Sequence, residues 1–132
     1  MYKCQGDSSK MVVRFKDKER YQGSVTPSAL NSETTIIELG DQSDDYIIEG
    51  QISLQNMQSG DIVVVKVYCA IDGTNQILSD SMTIDTVPDN KVVRIPAITL
   101  PYNAKFKVTV MQTSGTLREF PYSFILQIME EI

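Results

Sequence analysis

Ile62-Val63-Val64-Val65-Lys66-Val67-Tyr68-Cys69-Ala70-Ile71, followed at once by Asp72-Gly73, is the stretch on which the fold turns. Val63, Val65, Val67, Cys69 and Ile71 alternate onto one face, and Ile62, Val64 and Tyr68, around Lys66, onto the other. Successive side chains of a β-strand point to opposite sides of the sheet, so a strand apolar on both sides is central or has its outer face covered. Asp72-Gly73 is a tight hairpin signal. The neighbouring segments are apolar on one face only. Tyr46, Ile48, Gly50, Ile52 and Leu54 share a face, with Ile47, Glu49, Gln51, Ser53 and Gln55 opposite. Phe106, Val108 and Val110 alternate with Lys105, Lys107 and Thr109, and Phe120, Tyr122, Phe124, Leu126 and Ile128 form the cleanest inward face. Such alternation is the mark of half-buried strands.

Three further strands complete the set: Thr35–Leu39, a more polar Ile77–Ile84 that suits a sheet edge, and Val92–Ile95, ended by Pro96 because proline cannot donate to a ladder. Met11–Phe15 offers an eighth, after which Lys16–Asn31 reads as a polar link. Within that link, Thr26 as cap and Pro27 at the first helical position predict one helical turn over Thr26–Leu30. No segment sustains a helical period. The expectation is an all-β chain. Residues 1–32 form a basic N-terminal arm with one strand, and residues 33–132 form a single antiparallel β-sandwich of seven to eight strands, jelly-roll or immunoglobulin-like.

At 132 residues the chain is the size of one domain, and its apolar content of 42% and charged content of 22% are those of ordinary globular proteins. The net charge of −5 is unevenly spread. Residues 1–21 carry six basic side chains against three acidic ones, and residues 22–132 carry six against fourteen. The basic block (Lys10, Arg14, Lys16, Lys18 and Arg20 among it) reads first as a strand lying on its own acidic body. It reads second as an arm reaching nucleic acid or a neighbouring subunit. Met1–Asp7 lacks the apolar run of a signal peptide, and no apolar stretch is long enough to span a membrane as a helix. The expected location is the cytoplasm, or an assembly built from there.

Chemistry is scarce. There is no histidine, the commonest general base and a common metal ligand. No Ser-x-x-Lys stands in a strand-to-helix context, so the reading is of a non-enzyme with no catalytic residues and no cofactor. Asp41, Asp44 and Asp45 cluster in one turn and have the residue type for calcium, without the Asp-x-Asp-x-Asp-Gly spacing; as turn-forming residues they need no metal. Cys4 and Cys69 make neither a disulfide framework nor a metal set, and read first as one exposed and one buried thiol, with a bond between them as the alternative. Among the aromatic residues, Phe106, Phe120, Tyr122 and Phe124 alternate inward as a core does.

Tyr46–Asp61, Ile71–Asn75 and Gln112–Tyr122 resemble a pattern found in small β-sandwich proteins encoded by archaeal viruses and related mobile elements. The resemblance spans roughly residues 35–128, rests on strand and turn residues, and implies a virion or surface-assembly component with no catalytic residues to transfer. Two functional expectations follow. The first is a structural protein, a capsid, decoration or surface component of a virion. It would self-associate, or bind other virion proteins, through its sheet faces, its edges and its arm. Lys10, Arg14, Lys16, Lys18 and Arg20 of the arm and Ile62, Val64 and Tyr68 of the two-faced strand are the contact candidates, with nucleic acid as a further partner for the arm. Met11–Phe15 reads first as pairing within its own sheet and second as a strand donated to a neighbour's sheet edge. The alternative is a module binding carbohydrate or a cell-surface receptor on a fibre or tail, with ring-bearing loop residues such as Tyr21, Tyr46 and Tyr102 lining its patch.

Overall fold

The two-faced strand does lie in the middle of a sheet. A computed structural model describes residues 12–131, and every regular element in it is a strand. These are β1 (Val13–Val25), β2 (Thr34–Leu39), β3 (Tyr46–Ser53), β4 (Ile62–Ala70), β5 (Ile77–Ile84), β6 (Val92–Leu100), β7 (Lys105–Ser114) and β8 (Phe120–Glu131). They form two four-stranded antiparallel sheets, ordered β1-β8-β3-β6 and β2-β7-β4-β5. The pairs β1–β8, β2–β7, β3–β6 and β4–β5 are nested, as if one long hairpin had been rolled into two layers. That nesting is the jelly-roll arrangement and decides against the immunoglobulin one.

The inward faces read from alternation meet in one core. Tyr46, Ile48, Ile52 and Leu54 of the β3 region, with Phe120, Phe124, Leu126 and Ile128 of β8, face Val63, Val65, Val67 and Cys69 of β4 and Phe106, Val108 and Val110 of β7. Gly50 sits under the Phe124 ring so closely that a β-carbon there would lie 2.3 Å from Phe124 Cδ2. Only the absence of a side chain lets β3 and β8 pair at that point.

Four details depart from the expectations. First, the strand expected at Met11–Phe15 runs on as β1 to Val25, so the stretch from Lys16 is not a link. Its Lys-Asp-Lys-Glu-Arg alternation is compatible with an edge strand, where charges can reach water on both sides. Met11 itself lies outside the described residues. Second, β6 continues through Pro96, because β6 is an edge strand and Pro96-Ala97 form a bulge opposite Glu49. Third, Thr26–Leu30 is not helical. The chain bends there, and Asn31 takes φ 64°, its N–H donating to the Gln112 carbonyl at 2.7 Å. Crossing from one sheet to the other outweighs the local capping signal. Fourth, Asp72-Gly73 opens a longer connection, in which the Asp72 carboxylate accepts the N–H groups of Thr74 (2.9 Å) and Asn75 (2.8 Å).

Candidate assembly surfaces

Beyond its bulge, β1 separates its charges by face. Lys18 lies opposite Gln127 and Arg20 opposite Ile125 on the outer face, whereas Asp17 and Glu19 lie opposite the buried Ile128 and Leu126. Lys16 is the extra residue of a bulge between Phe15 and Asp17. Arg14 donates to Glu130 at 2.7 Å, and Glu19 accepts the Tyr21 hydroxyl at 2.7 Å. Burial first, then that bond, pushes the Tyr21 phenol up to about 12. Among the described residues Lys16, Lys18 and Arg20 enter no salt bridge. The structure therefore gathers Arg14, Lys16, Lys18 and Arg20 on one edge strand; Lys10 lies outside the described residues.

Ile62, Val64 and Tyr68 occupy the outer face of the other sheet, away from that strand. Val64 lies between Thr83 and Met111 and is only 9% exposed, and Ile62 is half-buried. The Tyr68 hydroxyl donates to Glu33 Oε1 at 2.6 Å, and Lys107 Nζ stands 4.8 Å over its ring. Glu33 also accepts the Thr109 hydroxyl at 2.7 Å and pairs with Lys66 at 3.7 Å. The two hydroxyl bonds hold the Glu33 carboxyl below its usual range. The chain's own polar groups thus engage Tyr68 and Lys66 on this face.

The three turn aspartates work separately. Asp41 accepts Lys105 Nζ at 3.3 Å, Asp44 accepts the N–H of Asp45 at 2.7 Å, and Asp45 accepts the N–H of Tyr102 at 3.0 Å. Among the described residues no group of three acidic, cysteine or histidine side chains is placed to hold a metal ion. Cys69 is a buried free thiol that burial pushes up; Cys4 lies outside the described residues. Of the three candidate ring residues Tyr102 is exposed, Tyr21 is half-buried and Tyr46 lies in the core. Tyr46 is fully buried, its hydroxyl donates to the Ala104 carbonyl at 2.7 Å, and burial above all pushes it up to about 12.

Two features escaped the sequence. One is a buried polar knot. Asp61, 1% exposed, accepts Arg118 Nε at 2.8 Å and the N–H groups of Gln58 at 2.9 Å and Thr116 at 3.3 Å. Burial pushes the Asp61 carboxyl up, but the Arg118 bond and those backbone donors outweigh it and hold it below the usual range. Gln112, also buried, donates to the Thr116 carbonyl and accepts the Arg118 N–H, so the knot ties two loops together. The other is where apolar area is left bare. Among the described residues, six of the nine large exposed apolar side chains fall in two places: Val12, Val13 and Phe15 at the start of β1, and Ile71, Ile77 and Leu78 around the start of β5. Ile71 and Ile77 flanking Asp72-Gly73 were a visible signal for the second.

All four edge strands are bulged, by Lys16, by Ile36, by Ser79 and by Pro96-Ala97. Bulges and inward charges such as Asp17, Glu19 and Asp80 are devices that keep sheet edges from pairing indiscriminately. Val13–Phe15 pairs with Met129–Glu131 of its own sheet, the first of its two readings.

No protein-family model matches the chain, and no curated protein matches it. Solved structures do match in fold. VP2 of the infectious bursal disease virus subviral particle superposes with a TM-score of 0.51 at 13% identity, over 92% of this chain and 33% of VP2. The chain thus spans about a third of that viral protein. A chain of the Bacillus endospore appendages, a family of disulfide-linked pili, superposes with a TM-score of 0.52 at 12% identity, over 97% of this chain and 96% of the pilus chain. Neither is archaeal; the likeness is one of fold, the β-sandwich of a viral particle protein and of a pilus protein.

Proposed function

We propose that this protein is a non-enzymatic structural subunit that self-associates into a larger assembly, at a virion surface or in a surface appendage. The observation that carries the reading is the placement of its bare apolar side chains, at the β1 and β5 edges and not in an enclosed pocket. Large apolar side chains left bare near one another mark candidate sites of association. The fold likeness supports the same reading, since the pilus chain is matched almost end to end by a lone sandwich. The buried side chains of Asp61, Gln112 and Tyr46 are consumed by internal partners, in the Asp61–Arg118–Gln112 knot and the Tyr46 hydroxyl bond. Residues 13–25 take part as a strand of the body, so truncation at residue 21 would remove most of β1. The contribution of the leading segment is read by deleting residues 1–11 alone. Light scattering after size exclusion tests the proposal: association should grow with concentration, and a strict monomer at every concentration and salt would refute it.

A further inference from the structure

Resting on that reading, we infer that association is head to tail, the basic β1 edge of one copy docking on the acidic β5 edge of the next. β1 and β5 are edge strands of different sheets, and they lie on opposite sides of the sandwich: β1 ends one sheet, while β5 adjoins β6 at the other sheet's far edge across a cleft lined by Ser79, Asp80, Ile95 and Pro96. One molecule therefore carries both halves of the contact, and they cannot meet within it.

The two edges match along their length. In chain direction β1 presents the exposed apolar pair Val13 and Phe15, then the bulge at Lys16, then Lys18 and Arg20. β5 presents the exposed pair Ile77 and Leu78, then the bulge at Ser79, then Asp80, with Asp85 just past its end. Laid side by side in the same direction, apolar meets apolar, bulge meets bulge, and base meets acid. The reverse direction sets Phe15 among the acids. These charges have no internal claim on them. Asp80 accepts only the N–H of Ser81, at 2.8 Å, Asp85 accepts the Thr86 hydroxyl at a long 3.4 Å, and among the described residues neither enters a salt bridge. With both ladders interrupted by bulges, the contact runs through side chains more than through main-chain pairing. A contact between two different patches does not close on itself as a two-fold dimer does; it propagates into a ring or a filament.

Two charge-reversed proteins test this: Lys16→Glu/Lys18→Glu/Arg20→Glu, and Asp80→Lys/Asp85→Lys. Each alone should associate at least about tenfold more weakly than wild type, because like charges then face each other. An equimolar mixture should recover association, since the unaltered basic edge of the second protein fits the unaltered acidic edge of the first. Thermal unfolding of each variant separates lost contact from lost fold. Should a variant fail to fold, Ile77→Ser/Leu78→Ser, exposed and outside the core, gives the same readout of weakened association, as does raising the salt on wild type. Wild-type association that survives reversal of either edge would overturn the head-to-tail contact while leaving self-association standing. So would a folded mixture that stays monomeric, or an oligonucleotide bound by wild type and lost on reversal with assembly unchanged. A monomeric wild type would instead overturn the proposed function itself.

Discussion

Replacing Asp61 by alanine should cost about 3 kcal/mol of stability, the lower end of what breaking a buried ion pair costs. The low end follows from the surroundings. Asp61 is buried, but the Arg118 side chain is 27% exposed and can turn its guanidinium toward water once its partner is gone. Gln58 and Thr116 are surface residues, so their freed N–H groups regain water more readily than core donors would. At this chain length 1 kcal/mol moves the melting temperature by roughly 3–4 °C, so the variant should melt about 10 °C lower. Asp61→Asn keeps an acceptor and loses the charge, and should cost about 1–2 kcal/mol. The pH dependence supplies a sharper test. The folded carboxyl lies below its ordinary value of 3.8, so its contribution is complete above that value and is lost as the pH falls through the lower folded one. The stability gap between wild type and Asp61→Asn should therefore be widest near neutrality and shrink on acidification below about pH 4. Urea unfolding followed by circular dichroism, at neutral and acid pH, measures both. An alanine variant within about 1 kcal/mol of wild type, or a gap between wild type and Asp61→Asn that does not shrink in acid, would refute the knot as a source of stability.

Other outcomes follow from the core and the thiol. Gly50→Ala should destabilise by about 1–3 kcal/mol or more, since its new methyl group must displace the Phe124 ring and the Ser123 carbonyl 2.6 Å away; chemical denaturation measures it. Tyr46→Phe should cost about 1–3 kcal/mol by orphaning the buried Ala104 carbonyl, with the fold kept, as read by thermal melting and far-UV circular dichroism. Cys69, buried and held in its protonated form, should react with a thiol reagent only slowly in native protein and fast in denaturant, with a Cys4→Ser background isolating its signal by mass spectrometry.

The legible and the illegible parts of this chain divide along the range of the forces involved. Side-chain alternation is a local property, so the inward faces of β3, β4, β7 and β8 could be read residue by residue, whereas β4 could be read only as central or covered on its outer face. The same rule was blind in Lys16–Arg20, where alternating opposite charges carry no hydropathy signal; what makes them a strand is β8, paired with β1 from the far end of the chain. Pro96 misled for a related reason, because whether a proline breaks a strand depends on whether its missing donor faces a neighbour or an edge. The Asp61–Arg118 bond joins residues 57 apart in sequence, and no spacing rule points from one to the other.

By itself, then, the sequence determined an all-β sandwich, its core faces and a basic N-terminal region on an acidic body. The tertiary structure decided that the sandwich is a jelly roll, that much of the basic region is an edge strand of the body, and that the outer face of β4 is engaged by Glu33, Lys66 and Lys107. The reason is physical: alternation states which way a side chain points, whereas only the pairing of distant strands decides what it points at.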